Sequence, residues 1–466
     1  MSKIYVYDVV VIGSGPSGLS VAVELSKTTN LSIAVFDKGN STYSRKCPAR
    51  STGVCAKCPN CSVLSGFGGA SGILGGKLCF FPAGLRLSKA LQETSAYSNN
   101  RVMQILNRYN FNKLNHSPGK SYNYGDLIQR EYQAIPVLEN DMVQMFSKML
   151  TEAQSQGVKF ISNFEVDSVE QSPNYAKFKV LGTINCNNVV VYARHALIFA
   201  TGRSGASTTQ KIMRDIGIKT SHSSVDVGVR IEMNSASVNQ VFSLQSQDPK
   251  LIMKHDTEEE VRTLCWTRNG DITLTRLGGV TVVDGHFGKT FSNKTSVSIV
   301  SRIPVDKSDC PLNIALDLIS SESMSLPIVQ DLKSFIDNRS NQSNTRMDMP
   351  IHAKQDTIRN YMNVTIFRQS VEFIHRLLDL SNLKPVLNQD AKILFPVIDN
   401  FWSTPILDKH LMSSIDSVYF VGDATGKARG IIQAIRSGAA VAERIACLTN
   451  NNSLLAENHD FSLAKC

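Results

Sequence analysis

The chain opens with Tyr7-Asp8-Val9-Val10-Val11-Ile12-Gly13-Ser14-Gly15-Pro16-Ser17-Gly18-Leu19-Ser20, an apolar β-rich run ending in Gly-x-Gly-x-x-Gly and passing into a helix-compatible segment. Each glycine answers a separate demand. Gly13 permits the tight strand-to-helix turn, Gly15 lets backbone approach a pyrophosphate, and Gly18 lets the helix pack closely on the sheet. Pro16 and Ser17 occupy the first helical turn, whose free N–H groups and positive dipole end face the phosphates. A second strand, Leu31 to Phe36, ends at Asp37, followed by Lys38. An acid there can accept hydrogen bonds from a ribose, at about the 20-residue spacing of a dinucleotide-binding βαβ unit.

The chain has 466 residues, too many for one compact core, which predicts two or three domains. It is 42% hydrophobic and 19% charged, a globular profile. No apolar run approaches the roughly 18 residues that span a membrane. The first strand begins almost at Met1, which predicts no leader peptide and a cytoplasmic location. Ten cysteines in such a chain read as thiols or metal ligands rather than disulfides. A net charge of +9 permits an anionic or nucleic-acid-borne substrate, but there is no dense Lys/Arg tract, which favours a generally basic surface.

After Asp37 a Cys-bearing loop leads into a second glycine-rich segment, Ser65-Gly66-Phe67-Gly68-Gly69-Ala70-Ser71-Gly72, whose small residues suit close passage of backbone beside a flat cofactor. Residues 85–135 read as a helical insertion. The apolar spacing Met142, Met145, Phe146 and Met149 predicts an amphipathic helix, and the runs after it a small antiparallel meander. Ala196 to Gly205 is a buried strand ending in Ala200-Thr201-Gly202. Residues 222–394 turn β-rich; Val225 to Glu232 alternates apolar and polar like a half-buried strand. A last strand ends at Gly422-Asp423, with a helix from about Gly430. The predicted nucleotide-binding unit is thus discontinuous (1–84, 136–221 and 395–466), with 222–394 inserted as a substrate domain.

Taken together, Gly13-x-Gly15-x-x-Gly18 with Asp37, Ala200-Thr201-Gly202 and Gly422-Asp423 resemble flavoproteins of the glutathione reductase-like FAD fold. The wider pattern is similar to a group of largely uncharacterised bacterial FAD-dependent dehydrogenases. Its motifs match Gly66 to Ala70, Gly76 to Leu78, Asp226-x-Gly228-x-Arg230-x-Glu232, Thr263-x-Cys265, Asp284 to His286, and Gly422-Asp423 with Arg429-Gly430-Ile431 and Gln433-Ala434. The family's Ser-Asp-Gly-Lys is Leu74-Gly75-Gly76-Lys77 here, without the acid. The resemblance implies an α/β fold with an FAD-binding Rossmann-like domain and an inserted β-rich α+β substrate domain. It also implies FAD as cofactor and redox chemistry on a small or conjugated organic molecule. Gly68, Gly69, Thr201 and Gly202 would then line the FAD site, Asp423 would meet its ribityl chain, and Gly430 and Ile431 would point at its ring.

No second Gly-x-Gly-x-x-Gly unit is present, so the expected substrate meets the flavin directly; NAD(P)H or another electron donor stays open. Cys265 and His286 are the candidate proton-moving groups, against the plainer readings of a buried small hydrophobe and a turn residue. Arg230 suits a substrate carboxylate or a structural ion pair with Glu232 or another acid. Cys47, Cys55, Cys58 and Cys61 have C-x7-C-x2-C-x2-C spacing. Zinc, an iron–sulfur cluster and a redox dithiol compete there, with a structural metal preferred and zinc ahead. Two further classes stay open: a flavoenzyme acting on nucleic-acid-borne groups, and an electron-transfer flavoprotein with a Cys-ligated cluster.

Overall fold

The computed structural model describes the chain except residues 1–2, 42–44, 94, 112–119, 173–174, 222, 240–246, 255–258, 307–309, 321–323, 325, 341–350, 381–390 and 458–466. Among the described residues the strands form a seven-stranded sheet, a nine-stranded sheet and smaller two-stranded pieces.

The first sheet is built outward from the opening turn. β1 (Lys3–Ile12) leads into α1 (Pro16–Thr28), which returns the chain to β2 (Ile33–Phe36). β1 and β2 run parallel, with Val9 opposite Ile33 and Ile12 opposite Phe36. The end of β1 is apolar on both faces because both are covered. Val9 and Val11 pack with the helices, Val10 and Ile12 with Phe164, Phe178 and Met213. β2 pairs parallel with Lys159–Ile161, and β1 pairs parallel with Asn187–Phe199. That long strand serves twice. Its first half pairs antiparallel with Phe178–Ile184, which meets Phe164–Gln171, completing a three-stranded meander. Its last residues, Leu197 to Phe199, pair parallel with Val418–Phe420. The result is a Rossmann-like α/β sheet. The helix Ile431–Glu457 packs on α1, with Ser20 Oγ donating to the Ile435 carbonyl at 2.8 Å.

The second sheet is antiparallel around Ser223–Asn234, flanked by Lys294–Val305 and Lys392–Asp399. Glu260–Arg268, then Lys250–Lys254, then the hairpin Lys120–Tyr124/Leu127–Glu131 extend it. Val225, Val227, Val229 and Ile231 share a core with Phe373, Ile374 and Leu377 of the helix Val364–Leu380. The alternate residues Asp226, Arg230 and Glu232 lie on the opposite face and are nevertheless buried.

Two sequence expectations need correction. Among the described residues of 85–135, helix is confined to Leu85–Leu91 and Ser95–Arg108. The later part of the segment contains the hairpin of the second sheet and a strand, Ala134–Val137, that pairs with Gly76–Cys79; residues 112–119 lie outside the described residues. Polar composition hid this hairpin, because its outer strand, Lys120–Tyr124, is the exposed edge of the sheet. The boundary at 394/395 cuts the strand Lys392–Asp399, which belongs to the second sheet throughout its length. No helix among the described residues is long and apolar enough to cross a membrane.

Candidate active site

A cavity of about 1030 Å³ is lined both by the opening turn of the first sheet and by the polar face of the second. Gly13 holds φ +108, and a Cβ there would run into the Ala200 carbonyl. Gly18 has no room for one either, since the Gly13 carbonyl lies against it. Gly15 differs: its nearest neighbour is the Gly69 Cα, 3.8 Å from where a Cβ would sit, and both glycines line the cavity. α1 has Pro16 in its first turn, with no side-chain cap and no acid there. Its N-terminal N–H groups are therefore left for an anionic ligand at Gly15 to Ser17.

Asp37 is engaged more locally than its sequence position implied. Its carboxylate accepts from Ser14 N (2.8 Å), Ser14 Oγ (2.7 Å) and Gly39 N (2.8 Å), tying the end of β2 to the turn. It also lines the cavity. Lys38 Nζ donates to the Ser204 carbonyl at 2.6 Å, joining β2 to the Thr201–Gly205 turn. Burial pulls its ammonium below the usual lysine range. Thr201 bonds Thr209 through their hydroxyls (2.8 Å), and nothing lies within 4 Å of where a Gly202 Cβ would sit.

The second glycine-rich segment is seated by Arg45, whose role the sequence did not reveal. Arg45 donates to the carbonyls of Ser62 (3.0 Å), Val63 (2.8 Å), Phe67 (2.9 Å) and Gly69 (2.7 Å). Burial lowers its guanidinium to about 10. The N–H of Gly68 also reaches the Ser14 carbonyl at 2.9 Å, so Gly68 and Gly69 are held against the opening turn.

Gly422 (φ +65) sits beside Ser17 Oγ and donates to Ser437 Oγ at 2.9 Å. Asp423 follows on the cavity wall, where burial pushes its carboxyl above the ordinary range despite Arg429 and Arg203 nearby. Arg429 pairs with Asp399, and Arg203 with Asp284 at 3.2 Å. Gly430 (φ +96) and Ile431 line the same cavity at the start of the last helix.

On the second sheet, three separated motifs meet at Arg230. Its Nε and Nη1 donate to Ser296 Oγ and Ser298 Oγ, each at 2.9 Å. Its Nη2 donates to Thr267 Oγ1 (2.7 Å) and to the Cys265 carbonyl (3.3 Å). A Cβ on Gly285 would run into the same guanidinium. Arg230 is 1% exposed, does not line the cavity, and has hydroxyls and a carbonyl as its partners rather than a carboxylate of Glu232 or another acid. It is a strut, and Glu232 pairs with Lys294 instead. What the strut positions does line the cavity. Cys265 has φ +53 at a break in strand register between Leu264 and Thr267, a bulge that turns it out of the regular ladder. His286 lines the cavity too; burial lowers its imidazole, and its Nδ1 has no hydrogen-bond partner among the described residues.

A further cluster escaped the sequence reading. Lys77 pairs with Asp248 (2.9 Å) and donates to the Trp266 carbonyl (2.6 Å). Tyr132 Oη donates to the same carboxylate at 2.9 Å, as does Trp266 N. Burial alone would pull the Lys77 ammonium down, but Asp248 holds it above its usual value. Burial raises the neighbouring Cys79 thiol to about 12. These residues come from four separate segments, so no local spacing signals them.

Cys47, Cys55, Cys58 and Cys61 are free, partly buried thiols. No three His, Cys, Asp or Glu side chains among the described residues gather as a metal-binding group, so the expected zinc or cluster site is not formed. The thiols overlap in their surroundings without converging on one point. Cys47 packs with Cys55 beside Ile272, Leu274 and Val283 and with Cys61 beside Val63, Ile73 and Leu74, and burial, with Cys61 and Cys55 nearby, raises its thiol. Cys58 lines a small separate cavity with Lys38 and Arg276.

Residues 11–46 match the family model of the NAD(P)-binding Rossmann-like domain. No curated protein matches the chain. Among solved structures, it is similar to a geranylgeranyl bacteriochlorophyll reductase-like protein of Thermoplasma acidophilum, with 14% identity and a TM-score of 0.44 over 96% of this chain and 80% of that one. It is similar also to a flavoprotein/dehydrogenase of Cytophaga hutchinsonii, with 13% identity and a TM-score of 0.43 over 95% of this chain and 79% of that one. The myxobacterial chondrochloren halogenase, an FAD-dependent halogenase variant, gives 10% identity and a TM-score of 0.44 over 98% of this chain and 76% of that one. The matched segment contains the turn, the helix and the second strand described above: the opening of the chain is a Rossmann-like nucleotide-binding unit.

Proposed function

We propose that this protein is an FAD-dependent oxidoreductase that moves a hydride between a small organic substrate and the flavin. The observation that carries this reading is the continuity of one cavity, from Gly15 and Asp37 to Gly422-Asp423, Gly430 and the Cys265–His286 wall. The side-chain-free backbone of Gly15 and Gly69, packed together on the cavity wall beside an uncapped helix N-terminus, suits the close approach of a pyrophosphate. Gly13, Gly15, Pro16, Ser17 and Gly18 would hold that group. Asp37 and Lys38 would stand at the adenosine half and Gly68, Gly69, Thr201 and Gly202 along the groove. Asp423, Gly430 and Ile431 would meet the flavin half. FAD supplies hydride acceptance or donation when bound. The chain's own residues do the rest: Cys265 and His286 face the substrate, and His286, kept neutral by burial, takes a proton from a substrate O–H or N–H. Arg230 positions both through the Cys265 carbonyl and the Gly285 backbone. Kinship with the uncharacterised bacterial FAD-dependent dehydrogenases belongs to the same reading, supported by the convergence of motifs 226–232, 263–265 and 284–286 on Arg230.

The test is to release and chromatograph the flavin of the purified or FAD-loaded protein, and to reduce it anaerobically with NADH, NADPH and a metabolite panel. FAD is expected, with an altered flavin spectrum in Asp423→Ala. FMN, or a protein that takes up no flavin, overturns the proposal.

A further inference from the structure

The polar face of the second sheet carries more cationic charge than its own acids neutralise. Register decides which residues share it: Arg130 lies opposite Lys250, Ile252 opposite Arg262, Glu260 opposite Arg302, and Arg302 opposite Asp226. The intervening Leu251, Met253 and Val261 point the other way, into the apolar core. On the polar face two acids meet two guanidiniums. Asp226 accepts from Arg262 and from Arg302 Nε (2.8 Å) and Nη2 (2.9 Å). Glu260 accepts from Arg262 Nη1 (3.0 Å) and Arg302 Nη1 (3.2 Å). That set is balanced, and the Lys250 ammonium, which Glu260 and Asp226 influence only from a distance, makes no salt bridge or side-chain hydrogen bond among the described residues. Arg262 Nε is also buried with no partner among them. Lys250 lines the cavity that holds Cys265 and His286, and Arg130 lines it from the neighbouring strand. Lys250 is half-buried, and an ammonium partly withdrawn from water without an ion pair is costly unless something of opposite charge meets it.

We infer that the substrate of the flavoenzyme proposed above carries an anionic group, a carboxylate or a phosphate, that docks on Lys250 while its reacting end lies toward Cys265 and His286. Burial, with Arg302 beside it, lowers the Lys250 ammonium to about 8, so it stays largely charged at neutral pH and is available to an anion. The specificity element is the charge left over on this face, so a neutral isostere of the same shape should bind poorly.

Titration calorimetry on the FAD-loaded protein tests this, with benzoate, its neutral isostere benzamide, and inorganic phosphate. Benzoate or phosphate should bind at least about tenfold more tightly than benzamide. Lys250→Met should weaken the anion by at least about tenfold and leave benzamide unchanged, and Lys250→Arg should restore it. Circular dichroism establishes that both variants fold. Equal binding of benzoate and benzamide, no binding of either anion, or anion binding undiminished in folded Lys250→Met overturns the inference. Flavin content measured on the same samples separates the two readings. Loaded FAD without anion selectivity sinks only this one, and anion selectivity without FAD uptake sinks only the flavin assignment.

Discussion

Arg45→Met is the sharpest probe of how the nucleotide groove is held. Arg45 makes four hydrogen bonds to backbone carbonyls in the segment from Ser62 to Gly69, and it is buried. At a net worth of about 1 kcal/mol each, the four together contribute about 4 kcal/mol to keeping that segment closed. Methionine fills similar volume but donates nothing. The freed carbonyls can regain water if the segment swings out, so the loss should appear as local opening more than as global unfolding. About 4 kcal/mol corresponds to roughly a 10³-fold shift in the opening equilibrium. Native-state hydrogen exchange reads it directly. The Gly68 amide, bonded to the Ser14 carbonyl, and the Phe67 amide, bonded to the Asn40 carbonyl, should exchange up to about 10³ times faster. A ligand that needs the closed segment loses affinity by up to the same factor. Arg45→Lys should fall between, because one ammonium cannot span four carbonyls. Unchanged exchange at Phe67 and Gly68 in a folded Arg45→Met protein would refute the argument.

Asp37→Ala removes the acceptor for Ser14 N, Ser14 Oγ and Gly39 N; urea denaturation should register a loss of about 2–4 kcal/mol, and wild-type stability would show that the carboxylate does not hold the turn. Arg230→Met should cost about 2–4 kcal/mol in the same assay, since the hydroxyls of Ser296, Ser298 and Thr267 lose their donor. A variant as stable as the parent would count against its role as a strut.

What the sequence determined by itself was backbone demand. Gly13 and Gly18 must be glycine because a carbonyl occupies the space of any Cβ, and such needs appear as a fixed local spacing after an apolar strand. The amphipathic helix over Glu139–Ser155 was legible for the same reason: periodicity is a local property. The Cys47 to Cys61 spacing was equally regular, yet spacing does not say where each thiol points, and the four spread over two apolar clusters and a small cavity instead of meeting. Tertiary structure decided the chemistry. The alternation Val225-Asp226-Val227-Gly228-Val229-Arg230-Ile231-Glu232 says only that one face is apolar and the other polar. Such a polar face ordinarily meets water. Here strand register and the packing of the sheet against the nucleotide unit turn it into a cavity wall. The same holds for Lys77, Tyr132 and Asp248, which meet only because three segments far apart in sequence fold together. Contacts between distant residues are set by how sheets pack, and a buried charge reads in the sequence like a solvated one.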